Sequence, residues 1–338
     1  MVRVSRGRRR HVDFTRRVLV QVAASAAGAP ARVSAPGQPP QPVVDGLAQL
    51  AAMPVTSSGL VVAGSDEVRW QAAHRAAEPL FVGSAIKTFI LAQCLRAVEA
   101  GQLSEDDQHA IDDAVRSPSS PVFLNLTGTT TLRSVLEAMI AHSDNTATDV
   151  ALALVGPDRV RDLVRQAGLG STRVPDSTRR LVSYLAGAEP GTDLGWTQLQ
   201  RLLAGGPAPG PLRAPVNDVQ TMMSTADELV RWYRRALLGG VFAQLGTLAE
   251  FKRISAMADS IAMAVPSGVA AYGKGGSLDW GDFHCFCLAG QMIVGASPVT
   301  FCFTINWTGP SEAVPGLFKD YVSVVRAVLQ AAAHTETK

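Results

Sequence analysis

Apolar residues recur at helical spacing in several parts of the chain, and each of these parts is predicted to be a helix. In residues 84–100 the apolar positions follow a stripe that ends before Gly101, a residue typical of helix C-termini. Thr131 is placed to cap a helix that starts at Leu132, and Pro157 occupies the favoured first turn of another. The predicted helices cover residues 44–53, 84–100, 132–156 with a polar break, 157–169, 224–240 and 318–334.

Strand-like segments occur near both ends of the chain. Leu60–Ala63 and Val68–Ala72 flank a Gly-Ser-Asp turn and predict a hairpin, and residues 268–277, 283–295 and 299–307 predict three more strands. Residues 104–121 are polar, and residues 171–219 are rich in Gly and Pro, which is typical of loops. We therefore expect an α/β (α+β) fold, in which an antiparallel sheet of N- and C-terminal strands is flanked by helices and carries an inserted all-helical subdomain over about residues 104–240.

Charge divides the chain into a basic leader and a mildly acidic body. The whole chain of 338 residues has a formal net charge of +2, yet residues 1–40 hold eight arginines and one acidic residue, Asp13. Arg16 and Arg17 precede an apolar, Ala-rich stretch and a Pro/Gly linker, a pattern of secretory signals that use the twin-arginine route. We expect residues 1–40 to be a signal peptide or a disordered basic leader, residues 41–338 to be the catalytic domain, and the protein to be periplasmic or secreted.

The composition of the body excludes several kinds of partner. A body without clustered Lys and Arg is not typical of a nucleic-acid-binding surface, and no run of about 18 apolar residues predicts a membrane span. Cys285 and Cys287 lie two apart in a predicted strand and Cys302 lies in the next, so the cysteines are interpreted as small buried hydrophobes. His284 alone adds too few ligands for zinc, and we expect no metal, no cofactor and a monomer.

Three short motifs carry the candidate chemistry, and each is weak when taken alone. Ser84-x-x-Lys87 opens a predicted helix, Ser143-Asp144-Asn145 lies in the break between two helices, and Lys274-Gly275-Gly276-Ser277 lies in a strand. A lysine three residues after a serine projects from the same side of a helix. Burial and a nearby cation can lower its pKa far enough for it to act as a base on the serine hydroxyl.

In this order the motifs resemble those of the class A serine β-lactamases and the related penicillin-recognising serine hydrolases. The resemblance covers about residues 45–332 and includes the sequence MIAHSDNTATDVAL around the second motif. It implies a β-lactamase/transpeptidase-like fold with Ser84 as the nucleophile, Lys87 as its base and Ser143 as the proton relay to the leaving nitrogen.

The same resemblance assigns the substrate-binding residues. It implies that Asn145 holds the substrate amide and that Lys274 attracts the substrate carboxylate and tunes Ser143. Gly276 belongs to the same strand motif, and the N–H groups of Ser84 and Ser277 would form the oxyanion hole. Asp144 is expected to tie down its own loop.

The sequence departs from this family at two places. Gly275 stands where the family has Thr or Ser, so a hydroxyl that helps bind the substrate carboxylate is missing, and Ser277 is a partial substitute. The family's Glu-x-x-Leu-Asn motif, whose Glu activates the deacylating water, is also missing. At its spacing after Asn145 the chain has residues 178–180, Thr-Arg-Arg, and the nearest glutamate is Glu189, the candidate deacylation base.

The residues support three functional hypotheses. The first is a serine hydrolase of the class A β-lactamase type that forms an acyl-enzyme on Ser84 and hydrolyses a β-lactam slowly. The second is a D-alanyl carboxypeptidase or an esterase on the same scaffold, and the third is a non-catalytic penicillin-binding sensor. In each case the expected partner is a small-molecule or peptide acyl substrate.

Overall fold

The computed structural model of the chain describes residues 36–336. Most of the predicted leader therefore lies outside the described residues. Within the described range, no helix is long and apolar enough to cross a membrane.

Nine strands and eleven helices make up the described part of the chain. The strands are β1 (Thr56–Ala63), β2 (Trp70–His74), β3 (Leu80–Phe81), β4 (Gln108–Ile111), β5 (Gly128–Thr131), β6 (Met223–Ser224), β7 (Ala270–Trp280), β8 (Phe283–Val294) and β9 (Ser297–Thr308). The helices are α1 (Gln41–Ala52), α2 (Lys87–Glu99), α3 (Leu132–Ala141), α4 (Asn145–Val155), α5 (Pro157–Gln166), α6 (Thr178–Leu185), α7 (Gly195–Leu203), α8 (Ala226–Leu237), α9 (Leu245–Ser255), α10 (Asp259–Ala262) and α11 (Val314–Glu336). Short 3₁₀ turns occupy Gly83–Ile86 and Ser311–Ala313.

The main sheet confirms the predicted fold class. It has five antiparallel strands in the order β2-β1-β9-β8-β7, so strands from both ends of the chain lie side by side. Strand β7 is an edge strand. Two short pairs, β3 with β6 and β4 with β5, lie apart from this sheet. Because β4, β5 and β6 lie within residues 104–240, the inserted subdomain is mainly helical and not all-helical as predicted.

Helices cover both faces of the sheet. The side chains of β8 alternate between the two faces, so both faces present side chains for packing. Phe286 points to one face and packs on Phe318 and Tyr321 of α11. Cys285 points to the other face, where its thiol donates to the carbonyl of Phe81. All four cysteines are buried and free, which confirms their interpretation as small core residues.

Helix α2 is the centre of the helical part, and almost its whole circumference is buried. Its buried residues include Phe89, Ile90 and Leu91 together with Lys87, and Phe89 packs on Trp232 of α8 at a centroid distance of 4.7 Å. A helix that is apolar all round has to lie inside the protein. The burial of Lys87 is therefore a consequence of where the helix lies, and its charge needs an explanation.

Two boundary predictions were wrong. The helix predicted from Ser84 begins as a 3₁₀ turn, and the regular α-helix starts at Lys87. Residues 171–219, predicted to be loops, contain α6 and α7. Helix α6 has a Ser177 cap that accepts from the amide of Arg180 and an apolar stripe that buries Leu181 and Leu185. The stripe is only eight residues long and lies between Gly- and Pro-rich flanks, which hides it in the sequence.

Candidate active site

The segment that leads into Ser84 is held to the main sheet by an asparagine of β9. The amide of Phe81 donates to Asn306 Oδ1 at 2.8 Å, and Asn306 Nδ2 donates to the carbonyl of Phe81 at 2.8 Å. On the next residue, the amide of Val82 donates to the carbonyl of Met222 at 2.8 Å. These three bonds fix the backbone immediately before the predicted nucleophile.

Two glycines allow the turn at Ser84 to lie directly against strand β7. Gly83 has φ +54°, and a Cβ atom there would lie 2.9 Å from the carbonyl oxygen of Ser277. A Cβ atom on Gly276 would lie 2.0 Å from the carbonyl oxygen of Val82 and 2.7 Å from the amide nitrogen of Ser84. Real Cβ atoms do not approach so closely, so the two backbones meet only because both residues are glycine.

This contact brings together the two amides that were predicted to form an oxyanion hole. Ser84 lies in the first turn of a 3₁₀ helix, where amide groups have no partner within the helix. Ser277 lies on the edge strand that faces this turn. The side chain of Ser84 is half-buried, and within residues 36–336 it makes no hydrogen bond.

Lys87 is fully buried, and its amine is held by residues of the second motif. Its Nζ lies 2.6 Å from the carbonyl oxygen of Ser143, 2.7 Å from Asn145 Oδ1 and 3.3 Å from Ser143 Oγ. Burial, helped by the nearby charge of Lys274, lowers the pKa of Lys87 well below its ordinary value of 10.5. A lysine that loses its proton this easily can accept one from a hydroxyl group.

The backbone of the second motif turns sharply at Ser143, which has φ +58°. The buried carboxylate of Asp144 then fixes this turn. One of its oxygens accepts from the amide of Ala147 and caps α4, and the other accepts from the amides of Val122 and Phe123. Asp144 thus ties down the loop, as the sequence predicted.

Asn145 lies at the same end of the cleft, held between two neighbours. Its Oδ1 accepts from Lys87, and its Nδ2 donates to the carbonyl of Pro118 at 2.8 Å. An amide nitrogen carries two hydrogens, so one N–H of Asn145 is left over for a ligand.

Lys274 is buried on β7 and turned towards its own strand. Its Nζ donates to the carbonyl of Gly275 at 2.9 Å. Burial lowers the pKa of Lys274 to about 7, although the charge of Asp259 acts in the opposite direction. An amine with such a lowered pKa can lose its proton near neutral pH.

The predicted site residues meet around one cleft of about 710 Å³. Ser84, Ser143, Asn145 and Ser277 line it, and Lys87 lies beneath it through its bonds to Ser143 and Asn145. Lys274 and Gly276 line an adjoining cavity that shares Ser143 and Ser277 with the cleft.

Glu189 is not brought to this cleft. Its side chain is exposed, and it is absent from the residues that line the cleft. At the spacing where the resemblance would place a glutamate, Arg179 is buried and forms an ion pair with Asp193 at 2.8 Å. Its neighbour Thr178 does line the cleft, but it supplies a hydroxyl in place of a carboxylate.

Sequence reasoning missed Asp149, a buried carboxylate of α4 beneath the cleft. It accepts from the amide of Thr178 at 2.6 Å and from the amide of Arg179 at 3.0 Å, so it fixes the start of α6. Burial raises the pKa of Asp149 to about 6. The signal in the sequence was an acidic residue on the apolar face of a predicted helix. Asn306, a polar residue within the buried strand β9, was a signal of the same kind.

Comparisons with known proteins agree with the fold. The profile of the β-lactamase enzyme family matches residues 47–208, whereas a comparison with curated proteins found no match. A β-lactamase from Sphaerobacter thermophilus has 18% identity and a TM-score of 0.66, covering 86% of this chain and 95% of that chain. The chromosome-encoded β-lactamase of Vibrio parahaemolyticus has 18% identity and a TM-score of 0.63, covering 88% of this chain and 100% of that chain.

A penicillin-binding protein has the same fold. A single-residue variant of PBP-A, solved as an acyl-enzyme complex with penicillin G, has 14% identity and a TM-score of 0.65, covering 86% of this chain and 96% of that chain. The resemblance to β-lactamase-like serine hydrolases that the motifs indicated is confirmed by the family profile over residues 47–208 and by the fold.

Proposed function

We infer that this chain, a β-lactamase-like family member by its sequence match and its fold, is a serine hydrolase that forms an acyl-enzyme on Ser84. Its substrate is a β-lactam or another small acyl compound, and release of the acyl group is the slow step. The protein acts in the periplasm or outside the cell as a monomer.

The environment of Lys87 is the observation that carries this proposal. A fully buried amine with a lowered pKa, 3.3 Å from Ser143 Oγ, is a base connected to a proton relay. Burying an ionisable side chain in the core lowers stability, so a residue of this kind in a cleft is a candidate functional residue. The cleft beside it contains a serine hydroxyl on a rigid turn.

Acylation follows from this arrangement. The hydroxyl of Ser84 attacks the acyl carbon while its proton passes to Lys87. The amides of Ser84 and Ser277 stabilise the developing oxyanion, usually a large contribution in acyl transfer. Ser143 then delivers a proton to the leaving atom. In the structure Lys87 Nζ bonds to Ser143 and Asn145 and not to Ser84 Oγ, and such catalytic bonds commonly form only when substrate is bound.

Deacylation is the weak step of the proposed cycle. It requires a base for the attacking water, and among the residues that line the cleft the only carboxylate is Asp279, which is exposed. Lys87 is then left to serve both half-reactions. We propose that the acyl-enzyme persists for minutes rather than milliseconds, and that Glu189→Gln leaves its lifetime unchanged.

Intact-mass measurement after exposure to penicillin G tests the proposal. A persistent adduct that disappears in Ser84→Ala supports a slow acyl-transfer enzyme. Rapid turnover that is lost in Glu189→Gln would refute slow release and identify Glu189 as the base. A protein that binds penicillin without any adduct would refute acylation by this β-lactam and support a penicillin-binding sensor.

An esterase is the second candidate, and the position of Lys274 favours it. A carboxylate-bearing β-lactam or D-alanyl peptide needs a cation near the reactive serine. The amine of Lys274 is buried, bonded to Gly275 and partly uncharged at neutral pH, so it is a weak anchor for an anion. A neutral ester does not depend on that anchor.

A further inference from the structure

A second cavity of about 490 Å³ opens beside the catalytic cleft, on the face of the sheet that α11 covers. It reaches the cleft at the edge strand β7, and the two share the side chains of His142, Ser143 and Ser277. A ligand bound at Ser84 can therefore extend into this cavity without leaving the protein surface.

The walls that β8 and α11 give the cavity are apolar. These two elements supply most of its apolar lining residues, and the ring of Phe286 packs on Phe318 at a centroid distance of 4.9 Å. The hydroxyl of Tyr321 already donates to the carbonyl of Phe303 at 2.9 Å, so its ring, and not its hydroxyl, faces a ligand. The main apolar wall residues are Phe286, Leu288, Phe318, Tyr321, Val322 and Val325.

The β8 and α11 walls of the cavity carry no cation. His142 Nδ1 lies 2.7 Å from Asp259 Oδ2 on another side of the cavity, and the two side chains pair with each other. Lys274 lies on the β7 side, where its amine donates to the carbonyl of Gly275, and there is no arginine among the lining residues. A carboxylate placed against the β8 and α11 walls would lose its hydration without gaining a counter-ion, which is strongly unfavourable.

Gly275 contributes to the apolar character of the cavity because it presents no side chain. A Cβ atom there would lie 2.5 Å from both Cβ and Oγ of Ser260 on α10, so the packing of α10 leaves no space for one. The Ser260 Oγ atom is itself buried and has no hydrogen-bond partner within residues 36–336. It can bond a single polar atom, such as an ether or ester oxygen, within an otherwise apolar ligand.

The lining residues show that the cavity lies on the leaving-group side of the scissile bond. Ser143 and Lys274 line it, whereas Ser84 and Asn145 line only the cleft. Ser143 is the group proposed to protonate the leaving atom, so the part of the substrate that departs lies on the side of this cavity.

We propose that the cavity binds an apolar leaving group, and that the preferred substrate class is neutral esters of aryl or branched alkyl alcohols. The inference rests on the proposed acyl transfer by Ser84. In the first step the Ser84 oxygen bonds to the acyl carbon, the bond from that carbon to the alcohol oxygen breaks, and the alcohol leaves with the proton that Ser84 has lost. In the second step water cleaves the serine ester, which releases the acid and restores the hydroxyl of Ser84.

Two aryl acetates of similar size and similar leaving-group acidity test the proposal. 4-Propylphenyl acetate has a neutral leaving group, and 4-acetoxyphenylacetate has one that ends in a carboxylate. We expect the wild-type protein to have a kcat/KM at least about 30-fold higher for the neutral ester, since a buried apolar group is favoured and a buried unpaired charge is not. Equal values for the two esters, or a preference for the carboxylate, would overturn the inference.

Two variants of α11 test whether the preference for the neutral ester arises in this cavity. Val322→Arg introduces a cation into the cavity wall, and Val324→Arg introduces the same side chain at a half-buried valine that does not line the cavity. The neutral-to-carboxylate ratio is expected to fall at least about tenfold in Val322→Arg and to stay at the wild-type value in Val324→Arg. A folded Val322→Arg protein with the wild-type ratio would contradict the assigned site.

The proposed function and the substrate inference fail in different ways. If neither ester is hydrolysed faster by the wild-type protein than by Ser84→Ala, the acyl-transfer proposal itself is wrong. If Ser84 is required but the two esters are equivalent, acyl transfer stands and the leaving-group site is wrong. The wild-type comparison needs no variant, so it decides the inference even if an α11 variant fails to fold.

Discussion

Replacing the buried Lys274 by methionine tests whether burial lowers the pKa of this side chain. Methionine keeps most of the volume and removes the amine. Burial lowers the pKa of Lys274 from 10.5 to about 7 in the folded protein, whereas the unfolded chain keeps the ordinary value. Between these two pH values the unfolded chain therefore binds a proton that the folded protein does not.

The magnitude and the sign follow from linkage. A depressed lysine pKa makes wild-type stability rise with pH from about 7 to about 10.5, by about 1.4 kcal/mol per pH unit from this group. At pH 7 the unfavourable burial amounts to about 4 kcal/mol, and the substitution also loses the hydrogen bond to Gly275, which contributes about 1 kcal/mol of stability. Lys274→Met is thus expected to be about 3 kcal/mol more stable than wild type at pH 7, with the advantage shrinking as pH rises.

Urea unfolding at pH 7, 8 and 9, with m-values compared between the proteins, measures this difference. Lys319→Met is the matched control, since Lys319 is an exposed lysine of α11 and remains in water in both states. Its stability relative to wild type is expected to be the same at all three pH values. A Lys274→Met protein that is destabilised at pH 7, or whose stability difference does not change with pH, would refute a buried amine with a lowered pKa.

Three further predictions concern the turn, the loop and the base. Gly83→Ala is expected to slow acylation at least about tenfold, since its Cβ would meet the carbonyl of Ser277. Gly101→Ala, at a similar positive φ in open space, is expected to leave the acylation rate unchanged, and equal effects of the two substitutions would refute the backbone contact. Asp144→Ala leaves three backbone amides unpaired and is expected to lower the free energy of unfolding by about 3 kcal/mol in urea, and a loss below about 1 kcal/mol would contradict its anchoring role. The acylation rate is expected to rise with pH through the lowered pKa of Lys87 and then level off, and a midpoint near 10.5 in stopped-flow measurements would show that Lys87 is not the base.

Local features of the fold could be predicted from the sequence because short-range chemistry fixes them. Thr131 caps α3 through its bond to the amide of Ser134, Gly156 ends α4, and Pro157 opens α5, each where the sequence placed it. Strands β8 and β9 were predictable for the same reason, since each one contains a long, largely apolar run.

The features that could not be predicted depend on residues distant in sequence. Nothing in the sequence around Gly275 indicates that Ser260 occupies the space beside it, or that Phe318 closes the apolar cavity against β8. The hydrogen bonds between Phe81 and Asn306 join residues that are 225 positions apart. The motif residues themselves were predictable because their chemistry is local, whereas the apolar cavity exists only after α11 has packed on the sheet.

The most direct test of the account is to find where the acyl group is attached. After exposure to penicillin G or to 4-propylphenyl acetate, denaturation and tryptic cleavage at Arg75 and Lys87 release a peptide of residues 76–87 in which Ser84 is the only hydroxyl side chain. The account predicts that this peptide carries the mass of the acyl group and that its unmodified form declines in step. An adduct on another peptide, or a full catalytic cycle with residues 76–87 never modified, would contradict the assignment of Ser84 as the nucleophile.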